Sequence, residues 1–209
     1  MPKKHVETVC NELRKLAKER KKIFSVLHDQ KRYGWEKWLQ VELAFRLSAF
    51  GDPEFEVMHK YNQLYRKPKS KANFSNPFID LQFRADNHLK DKVTAIEIKV
   101  SETEKGLGPL LSDLIKIRAI GAAQWPFRSV IAVLAYGRDV ARRETKFKRL
   151  LSDLPGETIE GSGYNFFVIG WEKSQTKNMT HEAYNEWLGK VIGIYKTQGV
   201  SRKTARRRD

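Results

Sequence analysis

Pro77-Phe78-Ile79-Asp80-Leu81-Gln82-Phe83-Arg84 and Thr94-Ala95-Ile96-Glu97-Ile98-Lys99-Val100 both alternate apolar and polar residues. Alternation with period two marks strands that bury one face. The turn formers Asp86, Asn87 and Asp91 lie between the runs, so the two fold back on each other as an antiparallel hairpin. Ile79, Leu81 and Phe83 share one face with Ile96, Ile98 and Val100, and Asp80, Gln82 and Arg84 share the other with Glu97 and Lys99. Centring the turn between His88 and Leu89 sets Asp80 opposite Glu97, where directly opposed Cβ atoms are about 4.5–5.5 Å apart. Two carboxylates that close repel unless a cation lies between them or one takes a proton. A divalent ion is the usual remedy in phosphoryl-transfer sites. With Lys99 added, the polar face holds a set suited to metal-assisted phosphodiester hydrolysis.

Outward from the hairpin, the chain reads as alternating helices and strands. Residues 5–28 form a long amphipathic helix through Val6, Val9, Leu13, Leu16 and Ile23. After Gly34, a second helix runs from Trp35 to Phe50 and stops at Gly51-Asp52-Pro53. Residues 54–61 are a first strand with Phe55 and Val57 on one face. Beyond the hairpin, Pro109 opens a helix that ends near Ile120. Val130-Ile131-Ala132-Val133-Leu134 is apolar at every position, which fits a strand buried on both faces. Residues 140–154 are helical, 155–163 a loop, 164–171 a strand, and Thr180 begins a last helix. The expected organisation is one domain over 1–199, with its core at about 35–136, a helical extension at 5–33 and a basic disordered tail at 200–209.

Composition narrows the function classes. Of 209 residues, 40 are Lys or Arg and 25 Asp or Glu, a net charge of +15 that points to a polyanionic partner, nucleic acid first. The excess concentrates in three places: Arg14 to Lys22, the segment from His59 to Lys71, and the tail with Arg202, Lys203, Arg206, Arg207 and Arg208. In the middle segment, Lys60, Arg66, Lys67, Lys69 and Lys71 interleave with Tyr61 and Tyr65, so cations can hold phosphates while a ring stacks on a base. One cysteine excludes an intramolecular disulfide and a cysteine-based zinc site, and the five histidines are scattered. A bound metal would therefore take oxygen ligands. The chain has neither an apolar run of membrane-spanning length nor the apolar stretch of a signal peptide at residues 1–7, so a cytoplasmic protein without a membrane partner is expected.

The order of elements and the residues Asp80 and Glu97-Ile98-Lys99 resemble the PD-(D/E)xK nuclease superfamily over about Trp35 to Tyr136. Ile79 stands where the family name has Pro, with Pro77 nearby. The resemblance implies an α/β fold of restriction-endonuclease-like type, a mixed central sheet flanked by helices with extra helices at both termini. It implies that Asp80 and Glu97 hold Mg²⁺ or Mn²⁺ with the backbone carbonyl of Ile98. Lys99 would then position or help deprotonate the attacking water, or stabilise the transition state. In relatives an acidic residue from the preceding helix often reaches the metal, and Glu42, set between Trp38 and Phe45 in an apolar stripe, matches that place. Its alternative is an i,i+4 pair with Arg46. Lys116, on the helix after the motif, is a candidate phosphate contact whose alternative is an i,i+3 pair with Asp113. Gln82 shares the face of Asp80. The expected activity is DNA endonuclease cleavage, by a homodimer where both strands are cut. Two other readings stay open: a catalytically inactive nuclease-like DNA-binding or assembly module, and an unrelated basic RNA-associated protein.

Overall fold

A strand apolar at every position needs a covering layer on each side, and Val130 to Leu134 has both. The structure, a computed structural model, describes residues 4–30, 35–58, 78–85, 93–101, 106–120, 122, 125–137, 145–172 and 180–205. In chain order the elements are α1 (Lys4–Glu19), α2 (Lys21–Gln30), α3 (Trp35–Leu47), β1 (Gly51–Met58), β2 (Phe78–Ala85), β3 (Val93–Ser101), α4 (Leu107–Arg118), β4 (Phe127–Gly137), α5 (Thr145–Asp153), β5 (Gly156–Ile159), β6 (Tyr164–Glu172) and α6 (His181–Ala205). The protein is mixed α/β, with one six-stranded sheet in the order β1-β2-β3-β4-β6-β5. β3 and β4 are parallel and the other neighbours antiparallel. Parallel neighbours need a crossover, and α4 supplies it.

Successive residues of β4 enter two different cores. Val130, Ala132 and Leu134 pack with α4, α5 and α6 through Leu110, Leu114, Leu150, Tyr184 and Leu188. Ile131, Val133 and Ala135 pack with α1, α2 and α3 through Leu13, Leu16, Phe24, Leu39 and Leu43. The sheet thus lies between two helical layers. α1 sits close on β6, because a Cβ at Gly170 would come within 2.5 Å of Val6 Cγ2. The Glu172 carboxylate accepts from the backbone N–H of His5 at 2.9 Å and of Val6 at 3.2 Å, satisfying free donors at the helix start. At the other end of α1, the Arg46 guanidinium gathers Glu12, Glu19 and Glu42 and ties α1 to α3.

Several expectations need correction. The helix expected over 5–28 is broken at Arg20, and the new phase buries Phe24 and leaves Ile23 exposed. The inner stripe of α3 is Trp35, Leu39, Gln40, Leu43, Ala44 and Leu47, while Phe45 is 74% exposed. The loop expected over 155–163 contains β5, whose Glu157-Thr158-Ile159 pairs antiparallel with β6. The tail expected to be disordered from 200 is helical to Ala205, because α6 continues through Gly199. A glycine in a helix costs only about 1 kcal/mol, which flanking helix formers can absorb. Ile79 joins the α4 side of the sheet whereas Leu81 and Phe83 join the α3 side, so the alternation of β2 breaks at Asp80. Among the described residues no helix is long and apolar enough to cross a membrane.

Candidate active site

Leu81, Gln82 and Phe83 of β2 lie opposite Ile96, Ala95 and Thr94 of β3, the register expected from the sequence. One step further would set Asp80 across from Glu97, and there the ladder ends. Past that point two carboxylates take over the edge of β3. Asp80 Oδ2 accepts from the Ile98 N–H at 2.8 Å, and Glu36 Oε2 accepts from the Val100 N–H at 3.2 Å. Alternate N–H groups of a strand point to the same edge. The divergence of β2 from β3 therefore opens a gap that Asp80 and Glu36 fill with charge.

Glu97 points into the layer between the sheet and α4, with its neighbours Ala95, Ala132 and Leu134 in that core. Its side chain is fully buried. Lys116 Nζ lies 2.8 Å from Glu97 Oε1 and favours its ionised form. Burial pushes the Glu97 carboxyl well above the ordinary carboxylate range; Asp80 adds to the rise, and Lys116 only partly offsets it. Without Lys116, burial would favour the protonated form of this carboxyl. Lys116 is itself buried, donating at 2.6 Å to the Phe78 carbonyl and lying 3.6 Å from Asp113 Oδ1.

Lys99 sits between α3 and α4. Its Nζ is 3.2 Å from Asp113 Oδ2 and 3.4 Å from Glu36 Oε1. Burial alone would lower its pKa, but Asp113, Asp80 and Glu36 outweigh that and raise it. α4 can deliver Asp113 this closely because Gly106 has no side chain: a Cβ there would meet Ser101 Cβ at 2.2 Å. The start of α3 is held by Trp35 against Tyr164, with ring centroids 4.4 Å apart, which brings the next residue, Glu36, to the end of β3.

Of the residues singled out in the sequence, Asp80, Glu97, Lys99 and Lys116 come together. Glu42 does not join them; Arg46 and Arg20 engage its carboxylate at 3.1 and 3.3 Å. Its nomination rested on a stripe through Trp38 and Phe45 and on the family resemblance, and in the structure Phe45 faces outward. Glu36 of the same helix is the carboxylate that reaches Lys99. Its signal in the sequence was its place beside Trp35 in the first turn of α3. Asp113 is more than a partner of Lys116, since it bridges both lysines. Gln82 is buried. Lys60, Arg66, Lys67, Lys69 and Lys71 lie outside the described residues.

Around this gap, the carboxylates of Asp80, Glu97, Asp113 and Glu36 face the ammoniums of Lys99 and Lys116. Fully ionised, the cluster is short of two positive charges in a protein with an overall excess of fifteen. Among the described residues no group of three His, Cys, Asp or Glu side chains is placed to hold a metal ion. Asp80 and Glu97 nonetheless offer carboxylate oxygens of the kind a hard divalent cation such as Mg²⁺ takes. That ion takes one or two carboxylates and keeps several waters. Compared with family models, curated proteins and solved structures, the chain matches none.

Proposed function

We propose that this chain is a divalent-metal-dependent nuclease that hydrolyses DNA phosphodiester bonds, built on a restriction-endonuclease-like core of the PD-(D/E)xK superfamily. The observation that carries the reading is the gap between β2 and β3. There Asp80 accepts from the Ile98 N–H, between Glu97 and Lys99 on β3, and Glu97 is fully buried with its charge set against Lys116. The order helix, antiparallel meander, crossover helix and parallel strand supports the fold assignment. The net charge of +15 supplies the attraction for a polyanion.

Asp80 and Glu97 would hold Mg²⁺ or Mn²⁺, with the Ile98 carbonyl available on the same strand. Bound there, the ion supplies Lewis-acid polarisation of the phosphate and a lowered pKa for water. The chain's own groups do the rest. Lys99 stays protonated at neutral pH, since three carboxylates raise its pKa. It therefore acts as a fixed positive charge and hydrogen-bond donor toward the phosphate, and not as the base. Glu36 and Asp113 hold its ammonium from two helices. Asp80 is oriented by the Ile98 N–H, so one of its oxygens is committed to the backbone and the other is left for the ion.

One observation favours a second reading, a silent nuclease-like DNA-binding module: the Lys116 ammonium already lies 2.8 Å from Glu97, where a metal ion would bind. Incubating the protein with supercoiled plasmid in Mg²⁺, Mn²⁺ or EDTA separates the two. The expected result is cleavage in metal, none in EDTA, and loss of cleavage with DNA binding retained in Asp80→Ala and Lys99→Ala. Binding without cleavage in every metal would assign the silent module. Absence of binding and cleavage would remove nucleic acid altogether.

A further inference from the structure

We propose that the Lys116 ammonium is a built-in counter-cation for Glu97, which a divalent ion must displace to enter the site. The inference rests on the nuclease reading for the ion's place between Asp80 and Glu97; the rest follows from the packing of α4.

A fully buried carboxylate cannot stay ionised alone, and the cation set against Glu97 comes from α4. Lys116 reaches it at 2.8 Å, close enough for its charge to lower the Glu97 pKa. An ion pair whose cation keeps other anchors is open to exchange for another cation. The other anchors of Lys116 are independent of Glu97. Its Nζ donates to the Phe78 carbonyl at 2.6 Å and has Asp113, one turn back on the same helix, at 3.6 Å. It can leave Glu97 for Asp113 without unwinding any element or losing its charge partner.

Lys99 lacks this role. Its partners are Asp113 and Glu36, and Glu97 is not among its ion pairs. A divalent ion and an ammonium on one buried carboxylate would repel strongly at a separation of about 4–5 Å. Joint occupancy therefore costs affinity, and Lys116 sets how much cation is needed to fill the site. In the metal-free protein, the same lysine keeps Glu97 from being an isolated buried charge.

The test is Mn²⁺ binding to the metal-free protein, followed by calorimetry and by the electron paramagnetic resonance of free Mn²⁺. Lys116→Met should bind Mn²⁺ about tenfold or more tightly than wild type, because the competing charge is gone. Lys116→Arg, which keeps the charge, should bind no more tightly than wild type. Asp80→Asn should lose the ion in either background. A lysine that is only structural would lower the Tm of Lys116→Met and leave its Mn²⁺ affinity unchanged. Equal or weaker binding by Lys116→Met overturns the proposal and leaves the metal site standing. No Mn²⁺ binding by either protein overturns the metal site and the proposal with it. If Lys116→Met does not fold, wild-type crystals grown with and without Mn²⁺ decide the matter. Lys116 Nζ drawn away from Glu97 beside a bound ion supports displacement, and the ammonium still in contact with Glu97 there overturns it.

Discussion

Glu97 concentrates the chemistry of the site, because it combines full burial with a charge set against the Lys116 ammonium. Its carboxyl is pushed up by burial and by Asp80. A carboxyl with a raised folded-state pKa binds protons more readily in the folded chain than in the unfolded one. In the metal-free protein, stability therefore falls as pH climbs above the unfolded carboxylate value of about 4.3, and the loss is complete above the folded pKa. Glu97→Gln keeps the shape and removes the charge, while Lys116 retains Asp113 and the Phe78 carbonyl. Thermal melts without metal should show the variant more stable than wild type at pH 8, with the difference shrinking toward pH 4. Each 1 kcal/mol gained would raise Tm by about 2–4 °C for a chain of this size. A wild-type protein at least as stable as the variant at pH 8 would mean that Lys116 fully compensates the charge. That Glu97 and Lys99 share a face was readable from alternation alone. That Glu97 is completely dry was not, since it depends on the layer α4 lays over β3.

At the scale of elements, α3 shows how a helix can be recognised and its facing still misread. Trp35, Trp38, Leu39 and Phe45 suggest a stripe with Glu42 inside it, yet the core takes Leu39, Leu43 and Leu47 and leaves Phe45 in solvent. Two apolar faces competed on one short helix, and packing against α1 and the sheet chose between them. Urea titration should find Phe45→Ser within about 0.5 kcal/mol of wild type, against a loss of about 2–4 kcal/mol for Leu43→Ala. The same choice of face turns Glu42 toward Arg46, whose guanidinium also holds Glu19 and the buried Glu12. Arg46→Met should cost about 2–3 kcal/mol in the same titration. That is somewhat below the usual cost of breaking a buried pair, because Lys15 and Arg20 remain beside Glu12 and Glu42. β5 escaped notice for a related reason. Four residues between glycine-containing turns carry too short a period to identify a strand, and only pairing with β6 makes them one.

For the whole molecule, the contrast is between a strongly basic chain and a carboxylate-rich gap at the end of β2 and β3. The surplus of fifteen positive charges makes binding to a polyanion a counterion-release process, steep in salt. Affinity for a fluorescein-labelled duplex, measured by anisotropy, should drop about tenfold or more between 50 and 200 mM NaCl, the fall expected from even two phosphate contacts. A flat salt profile would separate the net charge from nucleic acid. Charge, the alternation of β3, the hairpin register at Leu81 to Phe83 and the doubly buried β4 were determined by the sequence itself, because each is a local pattern or a sum over residues. The tertiary structure alone decided that Glu36 and not Glu42 reaches Lys99, that Asp113 serves two lysines, and that Lys116 lies against Glu97. Those contacts join α3, β3 and α4 across intervals of chain whose closure depends on how whole layers pack, and no periodicity in the sequence records it.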